Sequence, residues 1–222
     1  MHWDDGSGLV KKNVQPGATM FIDCQSMYES LSPEDKAFVD NSVVEYPASP
    51  YQHMSGSKAD PLGLRMYSEG KEVFLTNPDS LKDVSQKGQQ TIPLVWINPV
   101  TGAKCLQVHA IIAAAIHSTD PSTGEVTSLT DLEAVRARLD ALQRPFVTPD
   151  HVLFAPSEEG DLLLFANRLV RHSAIDHCGP RGNRLLHQIQ LVSSDPPFDP
   201  ARIPGIPYYK DSEGTGEGAA AA

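Results

Sequence analysis

Between Glu158 and Leu191 the chain carries two short apolar stretches separated by turn-forming residues, and this spacing constrains the fold more than any other feature. Gly160 and Asp161 feed the run Leu162 to Phe165, which is too short and too sharply bounded for a helix. It is expected to be a buried strand. A segment carrying His172 follows, then the turn-rich stretch from Asp176 to Asn183. From Arg184 to Val192, strand alternation would set Leu185, His187, Ile189 and Leu191 on one face and Arg184, Leu186, Gln188 and Gln190 on the other. A histidine and, twelve residues on, an arginine thus fall on consecutive strands across a Gly/Pro turn. Two readings stand side by side: a metal ligand beside an anion clamp, or a satisfied strand histidine and a solvated arginine.

Composition narrows the partners. The 222 residues suffice for a full core and suggest one domain, taken as residues 1–210 with a disordered tail over 211–222 that ends in four alanines. The formal charge is −10, the pI is near 5.2, and the basic residues are scattered rather than striped. Nucleic acid and membrane surfaces are therefore poor partners, and a small-molecule substrate is the better expectation. Cys24, Cys105 and Cys178 are odd in number and far apart, which speaks for reduced thiols and a cytoplasmic location. The longest mild apolar run, Ala110 to Ile116, is far below membrane-spanning length.

Elsewhere the chain alternates strand and turn signals. Asp4 to Gly8 reads as a turn, Leu9 to Val14 as a strand, and Pro16-Gly17 as a second turn. Thr19 to Cys24 is a strand candidate, and Gln25 to Leu31 is helical with Met27, Tyr28 and Leu31 on its apolar side. Ser32, Pro33, Glu34 and Asp35 are the cap, first position and acidic first turn of a second helix. Val43 to Tyr46 is a short strand. Pro47 to Gln90 has the irregular composition of a binding loop or lid, with Glu72 to Leu75 strand-like. Ile92 to Ile97 and Lys104 to His109 form a hairpin about Asn98-Pro99-Val100-Thr101-Gly102. Leu132, Val135, Leu139 and Leu142 lie at helical spacing, with Thr130 and Glu133 as a capping box and Pro145 as the stop. No βαβ alternation is present. The fold class expected is mainly β with peripheral helices, of sandwich or jelly-roll type.

Four stretches taken in order carry a resemblance: Gly17-Ala18-Thr19-Met20-Phe21 with the Met27 to Ser32 helix; Pro93 to Trp96 with Asn98 to Gly102; Glu159 to Leu162; and Asn167-Arg168 through His172 with Arg184. Together they resemble the taurine-dioxygenase-like branch of the Fe(II)/2-oxoglutarate dioxygenases. Asp4 to Gly8, Trp96 to Pro99 and Leu106-Gln107-Val108-His109 are similar to fungal xanthine dioxygenases within it. The resemblance implies a double-stranded β-helix, here incomplete. It also implies iron held by two histidines and a carboxylate, and coupling of 2-oxoglutarate decarboxylation to hydroxylation of a small molecule, with a purine such as xanthine as the substrate class. Position by position, His172 matches the distal iron histidine. Arg184 matches the arginine that pairs with the far carboxylate of 2-oxoglutarate, and Thr19 the threonine supporting it. Gln188 matches a glutamine associated with purine recognition. Gln190 stands where those members have asparagine, and His187 where they have arginine; the longer Gln190 amide still offers a donor and an acceptor.

The same resemblance implies a His-x-Asp pair as the remaining iron ligands, and His2-Trp3-Asp4 is the one such pair in the chain. Only fourteen residues separate Asp4 from Thr19, and they already hold a turn, a strand and a second turn, too little for the connection the family has there. The expectation is therefore that His2 and Asp4 belong to a turn region, and that the iron pair lies upstream of Met1. A chain with one iron ligand would hold metal weakly. The competing expectation is then an inactive β-helix fragment acting at most as a binding or interaction module. Strand edges left without partners would favour self-association. His109 and His117 are expected in core or supporting roles, since neither has a carboxylate at ligand spacing. The sequence shows no convincing Ser-His-Asp or Cys-His arrangement.

Overall fold

The computed structural model describes residues 3–4, 10–11, 18–47, 58–59, 66–67, 90–156, 158–174 and 187–191. Strands dominate them, with three helices. A first small hairpin pairs β1 (Trp3–Asp4) with β2 (Val10–Lys11), so Asp4, expected in a turn, ends a strand, and the rest of the expected Asp4–Gly8 turn lies outside the described residues. A second pairs β5 (Lys58–Ala59) with β6 (Met66–Tyr67). Glu72 to Leu75, the Pro16-Gly17 turn and the tail over 211–222 lie outside the described residues.

The strand β3 (Thr19–Asp23) forms from a β-prone run and passes directly into α1 (Cys24–Glu29). Asp23 makes that switch: its carboxylate accepts from the Ser26 N–H and caps the new helix. Helix α2 (Pro33–Asp40) starts as its sequence dictates, with the Ser32 hydroxyl accepting from the Asp35 N–H at 3.0 Å and Pro33 in the first turn. Asp40 ties the two helices to the sheet. It accepts from the Tyr28 hydroxyl at 3.1 Å and from Lys104 at 2.6 Å.

Two sheets matter for the site. One has the order β11-β10-β4-β7, from Val126–Leu129, Ala115–Thr119, Ser42–Tyr46 and Gln90–Pro93, all antiparallel. The other is three-stranded, with β3 between β12 (Val152–Ala155) and β13 (Val170–Ala174). The expected strand Ile92 to Ile97 is in fact two. It bends at Leu94, so that β7 pairs with β4 while β8 (Val95–Ile97) pairs with β9 (Lys104–Leu106). Pro93 has no N–H to extend the first ladder, and the freed Leu94 N–H donates to the Ser42 carbonyl at 3.2 Å. The hairpin turn after β8 is as expected. The Asn98 side chain accepts from the Val100 and Thr101 N–H groups, and Gly102 takes a positive φ of 73°.

Helix α3 spans Leu132–Gln143 and buries Val135, Leu139 and Leu142, as its spacing predicts. Its cap is not Thr130. Asp131 takes that place, accepting from the Ala134 N–H at 2.8 Å, because a carboxylate one residue later meets the same unpaired N–H groups. One continuous core joins Met20 and Ile22 of β3, Met27 of α1, Leu94, Leu106 and Ile116 to the apolar stripe of α3 and to Val152. Cys24 and Cys105 are free thiols buried within it, and burial pushes the Cys24 thiol up to about 12.

Candidate metal and 2-oxoglutarate site

Because successive strand residues alternate in direction, Met20 and Ile22 face the core, and Thr19 and Phe21 face the other way. The register places Phe21 opposite both Leu153 of β12 and His172 of β13, and Thr19 opposite Ala155 and Ala174. Directly opposed residues project from the same side of a sheet, so Thr19 and His172 share one face as diagonal neighbours, roughly 7–8 Å apart in such a ladder. Two residues 153 positions apart are thereby brought together.

The His172 imidazole is exposed but set among aromatic rings. Its centroid lies 4.8 Å from that of Phe165 and 6.1 Å from that of Phe21, and the two phenyl rings meet edge-on at 4.9 Å. Crowding by these rings and then the Arg171 charge hold the His172 imidazole below its ordinary range, keeping a nitrogen lone pair available at neutral pH. Arg171 projects to the opposite side, where it sits across from Ile22. Its charge also reaches His109 and Tyr46. His109 keeps some surface in solvent, yet the atoms packed round its ring, followed by the Arg171 charge, push it down to about 4. Burial pushes the Tyr46 hydroxyl up to about 12, and that hydroxyl accepts from the His109 backbone N–H at 3.0 Å.

His117 is also part of a polar link, one not visible in the sequence. Nδ1 lies 2.8 Å from the Ser128 hydroxyl and Nε2 lies 3.1 Å from the Glu45 carboxylate, across three neighbouring strands. The partners are 11 and 72 residues away, so only the strand register could have revealed them. The link ties β11, β10 and β4 together on a sheet other than the one bearing His172.

Three expectations fare differently. The run Leu162 to Phe165 is not a buried strand: it pairs with no strand among the described residues, and Leu162 and Leu164 are 90% and 85% exposed. Four apolar residues fix no burial by themselves; a strand needs a neighbour to complete its ladder, and among these four Phe165 is the one with ring contacts among the described residues. Residues 187–191 likewise form no ladder, and His187, Gln188, Ile189, Gln190 and Leu191 are all exposed, so the two-faced strand expected there is not seen. Among the described residues no hydrogen bond joins Gln188 or Gln190 to His172. Arg184 and His2 lie outside the described residues.

The donor set on this face fits one share of a metal centre, an accessible imidazole, with Thr19 on the same side of the sheet. Among the described residues no group of three His, Cys, Asp or Glu side chains could hold a metal ion, and no helix is long and apolar enough to cross a membrane.

The antiparallel sheets with helices outside are those of a jelly-roll scaffold. Residues 7–190 match the model of the taurine catabolism dioxygenase TauD, TfdA family, and the chain belongs to that family. It is 38% identical over 195 residues to the alpha-ketoglutarate-dependent xanthine dioxygenase xanA of Emericella nidulans, covering 88% of this chain and 50% of that protein. It is 37% identical over 205 residues to the alpha-ketoglutarate-dependent dioxygenase fc-dox of Phomopsis amygdali, covering 91% and 50%. The chain therefore spans about half the length of these relatives. A solved structure of a candidate alpha-ketoglutarate dependent 2,4-D dioxygenase from Burkholderia xenovorans superposes with a TM-score of 0.51 at 18% identity, over 78% of this chain and 55% of that one, and supports the fold.

Proposed function

We propose that this chain contributes to the site of an Fe(II)/2-oxoglutarate dioxygenase that hydroxylates a small molecule, with a purine such as xanthine the favoured class. The observation that carries this reading is the register of β3 and β13, which sets Thr19 and His172 on one face. In it, His172 holds the iron through one imidazole nitrogen. Thr19 and Arg184 bind the far carboxylate of 2-oxoglutarate, the guanidinium as a planar two-pronged donor and the hydroxyl as a single donor. Gln188 and Gln190 offer amide donors and acceptors to the substrate. The iron with 2-oxoglutarate supplies the oxidising chemistry when bound. The protein's part is to orient these groups and, through Phe21 and Phe165, to shield one side of the imidazole from water.

The xanthine dioxygenase likeness supports the purine class, and the changes at His187 and Gln190 leave the particular purine to experiment. We further propose a cytoplasmic location, from the reduced thiols. Self-association would run through the outer edges of β12 and β13, beside the 66%-exposed Leu153. Titration calorimetry of 2-oxoglutarate into the chain with Mn(II) in place of Fe(II) tests the site. Metal-dependent binding is expected, lost in H172A and weakened about tenfold or more in R184A. Absence of metal-dependent binding in the wild type would refute the reading for this chain. Succinate release with and without xanthine then tests turnover.

A further inference from the structure

Gln107, in the Leu106-Gln107-Val108-His109 stretch, has no part in the chemistry assigned so far. Its backbone N–H donates to the Leu94 carbonyl at 2.9 Å, which anchors it at the bend where the chain changes sheets. Its side chain reaches the opposite way. Nε2 donates to the Asn167 carbonyl at 3.1 Å and to the Val170 carbonyl at 3.4 Å. Those carbonyls flank a tight turn that also contains the Leu169 N–H to Ala166 carbonyl bond at 2.9 Å, and the Leu169 carbonyl accepts from the Cys24 N–H at 3.0 Å. Asn167 lies two residues after Phe165, and Val170 lies two residues before His172. The clamp therefore closes the segment whose two ends carry the rings in contact at 4.8 Å.

The residue type follows from the acceptors. Two carbonyl oxygens converge on one point, and a carboxamide nitrogen has two hydrogens to offer them. Turning the amide over would aim an oxygen at two oxygens, so the donor orientation is fixed by its partners.

We propose that Gln107 is a positioning residue for the His172 imidazole: by clamping the Asn167 and Val170 carbonyls it fixes the turn between Phe165 and His172, and hence the direction in which the ring nitrogen points. The consequence for metal binding rests on the proposed role of His172; the placement of the ring does not. Losing the clamp frees the turn, lets Phe165 leave its contact, and allows the imidazole to sample directions that no longer serve a ligand.

Four forms of the full chain test this: wild type, Q107E, Q107M and Q107K. Glutamate keeps the shape without a donor, methionine keeps the volume, and lysine restores three N–H donors on a stem of similar reach. The readout is the ring-proton resonance of His172 in histidine-labelled protein, assigned by its loss in H172A, since the neighbouring phenyl rings shift it. Q107E and Q107M are expected to move that resonance, Q107K to return it towards wild type, and Mn(II) affinity to fall about tenfold in the first two and recover in the third. An unchanged resonance in folded Q107E and Q107M overturns the proposal. If those two fail to fold, Q107K decides: a wild-type resonance supports it and a displaced one overturns it. If wild-type protein binds no Mn(II), the metal role of His172 fails, while the resonance still decides the positioning role.

Discussion

Lowering the pH should unfold this protein earlier than its carboxylates alone would require, and His109 is the reason. Its folded-state value of about 4 lies below the ordinary 6.5, first because the ring is crowded and then because Arg171 is near. An unfolded chain takes up a proton near pH 6.5, whereas the folded chain resists until about pH 4. In this window the unfolded state binds more protons, so stability falls as the pH is lowered through it, and above about pH 7 the group adds no pH dependence. A full shift of this size corresponds to about 3.4 kcal/mol at 1.36 kcal/mol per unit. The ring keeps surface in solvent, where screening weakens such effects, so about 1–1.5 kcal/mol is the expected share. Urea unfolding followed by circular dichroism at pH 7.5, 6.0, 5.0 and 4.5 measures it. The comparison is H109Q, which cannot titrate but keeps a polar side chain. The wild type should lose about 1 kcal/mol more than H109Q over that range. Parallel losses would show that His109 titrates normally and that the crowding argument is wrong.

Two further substitutions probe the architecture. Leu94 is fully buried at the bend between β7 and β8, so L94A should cost about 2–5 kcal/mol in urea unfolding; a loss below 1 kcal/mol would mean the bend is not packed into the core. Gln143 is fully buried, with Nε2 donating to the Leu139 carbonyl while Oε1 has no partner among the described residues, so Q143M should keep a stability within about 1 kcal/mol of wild type or above it. A drop of more than 2 kcal/mol would show that this oxygen is satisfied after all.

Local signals were legible in the sequence wherever a few neighbouring residues settle the outcome. Ser32-Pro33 starts a helix because its hydroxyl meets an unpaired N–H in the next turn. Asn98 and Gly102 make a turn because one folds its side chain back and the other accepts a positive φ. Outcomes that depend on distant partners were not legible. Leu162 to Phe165 looks like a buried strand in composition, but burial belongs to what lies beside it, and the Leu162 and Leu164 side chains stand largely in solvent. The break at Leu94 hides inside an apolar run, although Pro93 was a sign that one ladder had to end there. His172 and Thr19 are singled out by resemblance alone. Their common face, and the Gln107 clamp between β9 and the turn before β13, needed the register.

The central claim is that the His172 imidazole is a metal ligand on the Thr19 face, and nitrogen coupling to a bound metal tests it most directly. Pulsed electron paramagnetic resonance of Mn(II) with the full chain and 2-oxoglutarate, using protein labelled with ¹⁵N-histidine, should show an imidazole nitrogen coupled to the metal in wild type and none at that position in H172A. Wild-type protein without such a coupling, or a coupling undiminished in H172A, would contradict the account.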